Sequence, residues 1–172
     1  MRWVFIDRID TVTIGERITG VKAAALAEDY FVDHFPNFPV VPGVIVIEAL
    51  AQISGKLIEL SVYEDRGVWP FPVLSMVHKA KFRRFVRPGS VIEMEAEVIA
   101  IRDESAMMKV RARVDGKVTT QAELTFVFDP SGIPPDAAGG DIEDVERNTL
   151  RQIWPGYGEF VATSRKSREQ SS

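Results

Sequence analysis

The chain has 172 residues, of which 45% are hydrophobic and 27% charged, and its formal net charge is -4 at pH 7. This length predicts one domain with a well-buried core and leaves no room for a second enzymatic domain. The chain contains no cysteine, which excludes disulfides, thiolate metal sites and cysteine nucleophiles and leaves His34 and His78 as the only imidazoles. The negative net charge argues against nucleic-acid binding as the main task.

The N-terminus and the longest apolar stretch argue against export and against a membrane span. Asp7 occurs before a secretory apolar core could form. The apolar stretch from Val44 to Ile58 contains Glu48, Gln52 and Lys56 and is shorter than a membrane span requires. The sequence therefore predicts a cytoplasmic protein.

The first part of the chain predicts two strands and then a stiff loop. Strand-like runs occur at residues 3–6 and 18–21, with turn residues around Gly15 between them. Residues 34–43 contain three prolines, so this segment can form neither a helix nor a central strand. We interpret it as an extended loop.

A long helix is predicted directly after the loop. Residues 44–59 carry polar side chains at helical spacing, and most of the remaining helix surface is apolar. So wide an apolar arc predicts a helix that other structure encloses, with Glu48, Gln52, Lys56 and Glu59 as its solvated stripe. Residues 61–72 contain one glycine and two prolines and are predicted to form a loop.

Strand signals dominate the next part of the chain. An extended run covers residues 73–86, and alternating patterns cover residues 91–101, 108–114 and 118–128. Asp115-Gly116 is a hairpin-turn signal between the last two. Strands this long predict an antiparallel sheet with one face buried against the helix, which is an α+β fold.

Residues 130–172 differ in composition from a predicted domain at residues 1–129. A linker rich in Pro and Gly occupies residues 130–140, Asp141 is a plausible N-cap for a short helix, and residues 164–172 are predicted to be polar and frayed. The predicted helix carries an apolar stripe of five residues: Ile142, Val145, Leu150, Ile153 and Trp154. Such a stripe indicates packing on the domain or on a neighbouring copy.

Three residues of the loop and the helix form a candidate acid–base site. Taken alone, His34 is more often a structural hydrogen-bonding residue than a base, and Glu48 fits the solvated stripe of the helix better than a catalytic role. Gly43, however, lets the backbone pass close to a ligand where a helix begins to offer unpaired amides, and such a place stabilises negative charge on a carbonyl oxygen. With an imidazole base and a carboxyl acid, these groups fit proton abstraction next to a carbonyl with loss of a leaving group.

Three segments carry a resemblance to a known family. Residues 34–52, HFPNFPVVPGVIVIEALAQ, resemble the signature of the 3-hydroxyacyl-[acyl-carrier-protein] dehydratases of bacterial fatty acid synthesis, specifically the FabZ type. Residues 79–89, KAKFRRFVRPG, resemble that family's later strand and turn, and residues 114–118, VDGKV, its last hairpin. The resemblance spans roughly residues 3–128.

The resemblance implies the hotdog fold, in which a curved antiparallel sheet wraps a long central helix. It implies that His34 is the base at C2 of the acyl thioester and that Glu48 is the acid that protonates the departing 3-hydroxyl. The Gly43 amide would polarise the thioester carbonyl, and Gln52 would orient the Glu48 carboxyl group.

The resemblance also implies partners. Acyl carrier protein would deliver the substrate on its phosphopantetheine arm, and no metal or organic cofactor is implied. In this family the histidine and the glutamate of one site come from two subunits, which implies an obligate homodimer and leaves further assembly open.

Two loop positions and two segments depart from the family's pattern. Asn37 stands where glycine is usual, and Asp33 where a glycine commonly precedes the histidine. Residues 61–72 and the segment after residue 130 exceed the usual core. Two alternatives stay open: a hotdog thioesterase, in which water attacks the thioester carbon, and a non-catalytic protein that binds acyl groups.

A cluster of basic residues offers a docking surface for an acidic carrier protein. Its members are Lys79, Lys81, Arg83, Arg84 and Arg87. Alternation in an extended strand predicts that Arg84 points away from the other four. A solvated strand face is an equally good interpretation.

Four further residues have open roles. His78 has no motif partner and is interpreted as a structural or surface residue. Trp69, Phe71 and Phe82 either line an acyl channel or pack in the core.

Overall fold

The fold combines one long helix with a six-stranded antiparallel sheet, in a computed structural model that describes residues 3–128 and 142–169. The strands are β1 Arg8–Thr13, β2 Arg17–Ala23, β3 Val73–Phe82, β4 Val91–Ile101, β5 Ser105–Val114 and β6 Lys117–Val127. The helices are α1 Gly43–Arg66, α2 Ile142–Ile153 and α3 Tyr157–Glu169, with a 3-10 turn at Asp29–Phe31.

The sheet curves around α1 and buries one face against it. Its strand order is β1-β2-β4-β5-β6-β3, and every neighbouring pair is antiparallel. Met94, Met108 and Leu124 project from the sheet into the same fully buried core as Leu50 and Ile53 of α1. The α+β class and the hotdog fold are therefore confirmed.

The helix α1 is longer than the sequence predicted. It continues past residue 59 to Arg66, and Gly67 then adopts a φ of 73° while its amide donates a hydrogen bond to the Tyr63 carbonyl. Gly67 is thus the residue that ends the helix. The predicted loop at residues 61–72 shrinks to residues 67–72, because Val62 still packs in the core and extends the helical repeat.

Two strand boundaries differ from the prediction. Residues 3–6 are irregular rather than a strand, because the Phe5 amide donates to Gln52 Oε1 of α1 at 2.8 Å instead of pairing with another strand. At the other boundary, β3 ends at Phe82 rather than at residue 86. A shift in the pairing register with β6 between His78 and Lys81 precedes that end.

The helices α2 and α3 pack against the hotdog core. Leu150 is fully buried, and Ile153 and Tyr157 join the same cluster of buried side chains, which confirms packing for part of the predicted stripe. Val145 does not share it, since 54% of its surface is exposed. The linker at residues 130–140, Asp141 and the side chain of Ile142 lie outside the described residues.

The end of the chain is more ordered than a frayed tail over the part that the structure describes. The helix α3 extends to Glu169, and Ser164 is buried, with its hydroxyl donating a hydrogen bond to Glu64 Oε2 at 2.6 Å. The sequence predicted a frayed segment from residue 164, whereas the structure continues α3 to Glu169. A contact to α1 about 100 residues earlier in the chain is invisible to local sequence patterns.

Replacing Leu150 by Ala is expected to lower the free energy of unfolding by about 2–5 kcal/mol, because it opens a cavity in the core. Urea unfolding measures the change. Val145→Ala, on the exposed face of the same helix, is the matched control and should shift stability by less than about 0.5 kcal/mol. Equal small effects for both variants would show that α2 does not unfold together with the domain.

Candidate functional site

The His34 side chain is held in one orientation by its own loop. Its Nδ1 lies 2.9 Å from the Val40 carbonyl oxygen, and its backbone carbonyl accepts a hydrogen bond from the Val40 amide at 2.9 Å. Because a carbonyl oxygen only accepts, Nδ1 carries the proton and Nε2 of the neutral ring keeps its lone pair. The loop therefore presents Nε2 as a base.

The pocket that His34 lines lies at the start of α1. It has a volume of about 380 Å³, and Gly43, Phe82, Arg84 and Phe85 also line it. The first amides of a helix have no acceptor within the helix and carry the positive end of its dipole. The pocket thus combines a base with a place that favours negative charge on a ligand oxygen.

Gly43 is required where the pocket meets Phe82. A Cβ atom at this position would lie 2.6 Å from Phe82 Cε1 and 2.7 Å from Cδ1, which is closer than real side-chain contacts. Any other residue would displace the aromatic ring that lines the His34 pocket. The glycine that we predicted at the start of the helix therefore also fits a close approach of two chain segments.

The Glu48 carboxylate is oriented by two donors. Trp3 Nε1 and Gln52 Nε2 both donate to its Oε1, at 3.1 Å and 2.9 Å. The Gln52 amide is itself fixed, because its Oε1 accepts the Phe5 backbone amide at 2.8 Å. The positioning of Glu48 by Gln52 that the resemblance implies thus has a direct contact in the structure, and Trp3 is an additional partner that the sequence did not indicate.

Glu48 faces a different pocket from His34. This second pocket has a volume of about 370 Å³. Residues from five parts of the chain line it, among them Trp3 and Val4, one face of α1 with Glu48, Gln52, Lys56 and Glu59, Phe71 and Leu74, Phe126 of β6, and Val145, Glu146 and Thr149 of α2. Within one protomer, the structure does not bring the candidate base and the candidate acid into one pocket.

A buried charge cluster lies in the wall of the Glu48 pocket. Lys56 Nζ lies 3.1 Å from Glu59 Oε2 and forms a second ion pair with Glu146. Burial raises the pKa of Glu59 to about 7, although Lys56 opposes the shift. Burial also lowers the pKa of Lys56, but the two carboxylates outweigh it and raise that pKa above its ordinary value. Lys56 and Glu59 are thus buried and do not belong to a solvated stripe.

The raised pKa of Glu59 predicts a pH-dependent stability. The unfolded chain releases this proton near pH 4.5 and the folded chain near pH 7, so Glu59 makes the free energy of unfolding fall as pH rises through this window. We expect Glu59→Gln to remove this part of the pH dependence in urea unfolding between pH 5 and pH 7.5. Glu104→Gln, at an exposed carboxylate, is the control, and the same slope in wild type and Glu59→Gln would refute the prediction.

The basic cluster is divided between two places. Lys79 pairs with Glu123 at 3.0 Å, and Arg83 Nε donates to Gln121 Oε1 at 3.3 Å. Arg84 instead lines the His34 pocket. Lys81 lines the same shallow concavity as Lys79, Gln121 and Glu123.

The prediction that Arg87 shares a face with Lys79 is wrong. β3 ends at Phe82, so strand alternation no longer applies five residues later. The Arg87 guanidinium instead lies 4.2 Å from the ring centroid of Phe38, in the loop that carries His34. Arg84 and Arg87 are therefore the two members of the cluster with a contact to the His34 pocket or its loop.

The remaining candidates take separate positions. His78 is exposed on β3, which agrees with a surface residue. Phe71 lines the Glu48 pocket, Phe82 lines the His34 pocket, and Trp69 packs against Tyr63 with the two rings tilted and their centroids 5.4 Å apart. Within the described ranges 3–128 and 142–169, no helix has the length and apolar character needed to cross a bilayer.

Comparison with solved structures identifies similar folds. The dehydratase heterocomplex ApeI:P from Xenorhabdus doucetiae matches with a TM-score of 0.61 at 14% identity, over 74% of this chain and 84% of that one. A hypothetical thioesterase with coenzyme A from Streptococcus pneumoniae matches with a TM-score of 0.55 at 14% identity, over 71% and 84%. At these identities the likeness shows the fold alone.

Comparison of sequences identifies the family. The model of the FabA-like domain matches residues 2–123. A protein named 3-hydroxyacyl-[acyl-carrier-protein] dehydratase FabZ from Clostridium tetani is 40% identical over 125 residues, which are 73% of this chain and 86% of the relative. The protein of the same name from Bacillus pumilus is 38% identical over 128 residues, or 74% and 87%. The chain therefore belongs to the FabA-like family, as one of its FabZ-type dehydratases.

Proposed function

We propose that this chain removes water from 3-hydroxyacyl thioesters carried on acyl carrier protein and forms trans-2-enoyl thioesters. The observation that carries the proposal is the contact of His34 Nδ1 with the Val40 carbonyl, which leaves Nε2 free to act as a base in a ring that lines the pocket where α1 begins. The names of the FabZ relatives support the same substrate class. The proposed chemistry needs no metal or organic cofactor, and a cytoplasmic location remains a prediction from the sequence.

The proposed reaction assigns one proton transfer to each residue. His34 Nε2 takes the proton from C2, while the thioester oxygen accepts a hydrogen bond from the Gly43 amide and holds the developing negative charge. The electron pair of the broken C2–H bond forms the C2–C3 double bond as the C3–O bond breaks. Glu48 protonates the departing hydroxyl, so that it leaves as water, and Gln52 positions Glu48.

The separation of the two pockets supports a homodimer. His34 and Glu48 line different pockets of one protomer, and β3 lies at the sheet edge, paired with β6 alone among the described strands. Met76, Val77 and Phe82 are exposed apolar residues on this strand. We propose that a second copy covers this edge and brings its Glu48 to the His34 of the first, since an uncovered apolar edge is otherwise a liability.

Product analysis separates the proposed reaction from the two alternatives. A dehydratase incubated with a 3-hydroxyacyl pantetheine thioester forms the enoyl thioester, whereas a thioesterase releases free thiol and an acyl-binding protein forms neither. Because the chain contains no cysteine, a thiol reagent reports only thiol that comes from the substrate. Thiol release without enoyl product would overturn the proposal in favour of a thioesterase.

The carrier protein is proposed to dock beside the His34 pocket. Arg84 lines that pocket and Arg87 packs on its loop, so an acidic partner that contacts them is close to the base. Lys79, Lys81 and Arg83 extend the positive surface along the neighbouring edge of the sheet. Complementary charge mainly raises the association rate and fixes the orientation of the partner.

Reversing Arg84 and Arg87 together to Glu is expected to raise the Michaelis constant for carrier-bound substrate about tenfold or more and to weaken its salt dependence. The same variant should change the Michaelis constant for a small pantetheine thioester much less. Arg102→Glu, in the hairpin at the opposite end of the sheet, is the matched control. Equal effects on both substrates would assign Arg84 and Arg87 to the active site rather than to docking.

A further inference from the structure

The Glu48 pocket continues along α1 toward charged residues. Glu48, Gln52 and Lys56 follow at intervals of four residues, so they lie on one face of the helix. The rise along the axis from Glu48 to Lys56 is roughly 12 Å. Lys56, Glu59 and Glu146 line the pocket in addition to Glu48, so its far part is ionic.

The charged far part is held in place by an ion bridge between two helices. The Lys56 ammonium contacts Glu59 on α1 and Glu146 on α2. Only 9% of the Lys56 side chain and 5% of the Glu59 side chain are exposed. The Lys56 ammonium thus pairs with both carboxylates, in surroundings where an unpaired charge is costly.

The α2 wall is anchored firmly enough to limit the pocket. Leu150 packs in the core, and the Arg147 guanidinium lies 4.5 Å from the ring centroids of both Tyr63 and Trp69. The match to the FabA-like domain ends at residue 123. Glu146 therefore comes from a segment outside the family domain, which makes this wall a feature of the chain's own extension.

We propose that Lys56, Glu59 and Glu146 determine acyl-chain specificity, so that this enzyme accepts short 3-hydroxyacyl groups and rejects long saturated ones. The inference rests on the proposed function, because it takes the Glu48 pocket as the acyl site. A long alkyl chain would have to displace the ion bridge or contact it, and either leaves charged groups without water and without a full set of partners. A short chain ends before the bridge and meets the apolar walls.

The test compares kcat/KM for saturated 3-hydroxyacyl pantetheine thioesters from four to twelve carbons. Wild type should lose kcat/KM as the chain lengthens. The variant Lys56→Met/Glu59→Leu/Glu146→Leu replaces the whole ionic set by apolar side chains. Its ratio of long-chain to short-chain kcat/KM should rise on the order of tenfold for each two added carbons that the pocket newly accepts.

Two further variants keep the test independent of folding. Glu146→Ala removes only the α2 half of the bridge and should shift the ratio in the same direction, even if the triple variant does not fold. Asp144→Ala removes an exposed carboxylate from the same helix and should leave the ratio unchanged. A wild-type enzyme that uses twelve-carbon and four-carbon substrates equally well would overturn the proposal, as would unchanged ratios in both pocket variants.

A binding measurement separates the chain-length proposal from the proposed function. Calorimetry with saturated acyl pantetheine thioesters that lack the 3-hydroxyl measures chain preference without any turnover. Tight binding of short chains, lost as they lengthen and regained in the pocket variants, supports the specificity proposal even if no enoyl product forms. Enoyl formation supports the dehydratase. If the affinity and kcat/KM both stay constant as the acyl chain lengthens, the chain-length limit is refuted.

Discussion

His34→Ala and Glu48→Gln are each expected to lower kcat by about 10²- to 10⁴-fold, because each removes one of the two proton transfers. Enoyl formation from a 3-hydroxyacyl pantetheine thioester measures the loss. The two effects should combine non-additively in the double variant, since both groups act in one reaction step. Thermal unfolding should change little, because neither side chain belongs to the buried core.

Matched controls are available for both substitutions. His78→Ala removes the other imidazole, which is exposed on β3, and Glu16→Gln alters an exposed carboxylate in the turn between β1 and β2. Both should keep kcat near the wild-type value. Nearly normal turnover of His34→Ala or Glu48→Gln would contradict the assigned mechanism, whereas loss of turnover in a control would indicate a general effect on folding.

The central part of the fold was predictable because its periodicity is local. The strand β4 begins and ends where alternation predicts, at Val91 and Ile101, since each of its residues faces either the core or the outer surface of the sheet. The Asp115-Gly116 turn was predictable for a similar reason, because both residues adopt positive φ and few residue pairs allow that.

The C-terminal end of α1 was less predictable. The same glycine that ends the helix at Arg66 also fits a loop that begins several residues earlier. Only the burial of Val62 in the core distinguishes the two, and burial depends on partners that are distant in sequence.

The candidate site was predictable at the level of residues but not of geometry. The segment from His34 to Gln52 concentrates the proposed base, amide and acid in one short motif. The spacing of these residues in the sequence did not show that the base and the acid line separate pockets of one protomer. That separation depends on which other segments of the chain pack around each residue.

For the charge cluster of Lys56, Glu59 and Glu146, the helix was predictable but the burial of the side chains was not. Lys56 and Glu59 have the spacing of a solvated helix stripe, yet the structure buries both. Their third partner, Glu146, lies 90 residues beyond Lys56. Polar periodicity therefore predicted the helix correctly and the surroundings of its polar face wrongly, because a later segment covers that face.

Mixing His34→Ala with Glu48→Gln is expected to restore activity if each site takes its two residues from two subunits. In a hybrid dimer, one site receives both substituted residues and the other receives an intact His34 and an intact Glu48. Random exchange of equal amounts makes half of the dimers hybrids, so activity should return to about a quarter of the wild-type value. Enoyl formation before and after exchange measures the recovery, and native mass spectrometry of differently tagged chains measures the hybrid fraction.

The hybrid experiment distinguishes a shared site from two self-contained ones. If His34 and Glu48 of the same chain acted together, every site in every hybrid would keep one substituted residue and no activity would return. Mixing His34→Ala with the chain that carries both substitutions is the matched control, because no arrangement of these two chains contains an intact His34. Recovery that follows the hybrid fraction and is absent from this control requires Glu48 to reach His34 of the other subunit, as the two separate pockets of one protomer predict. Complete exchange without recovery would refute the shared site and leave the position of the acid relative to the base unexplained.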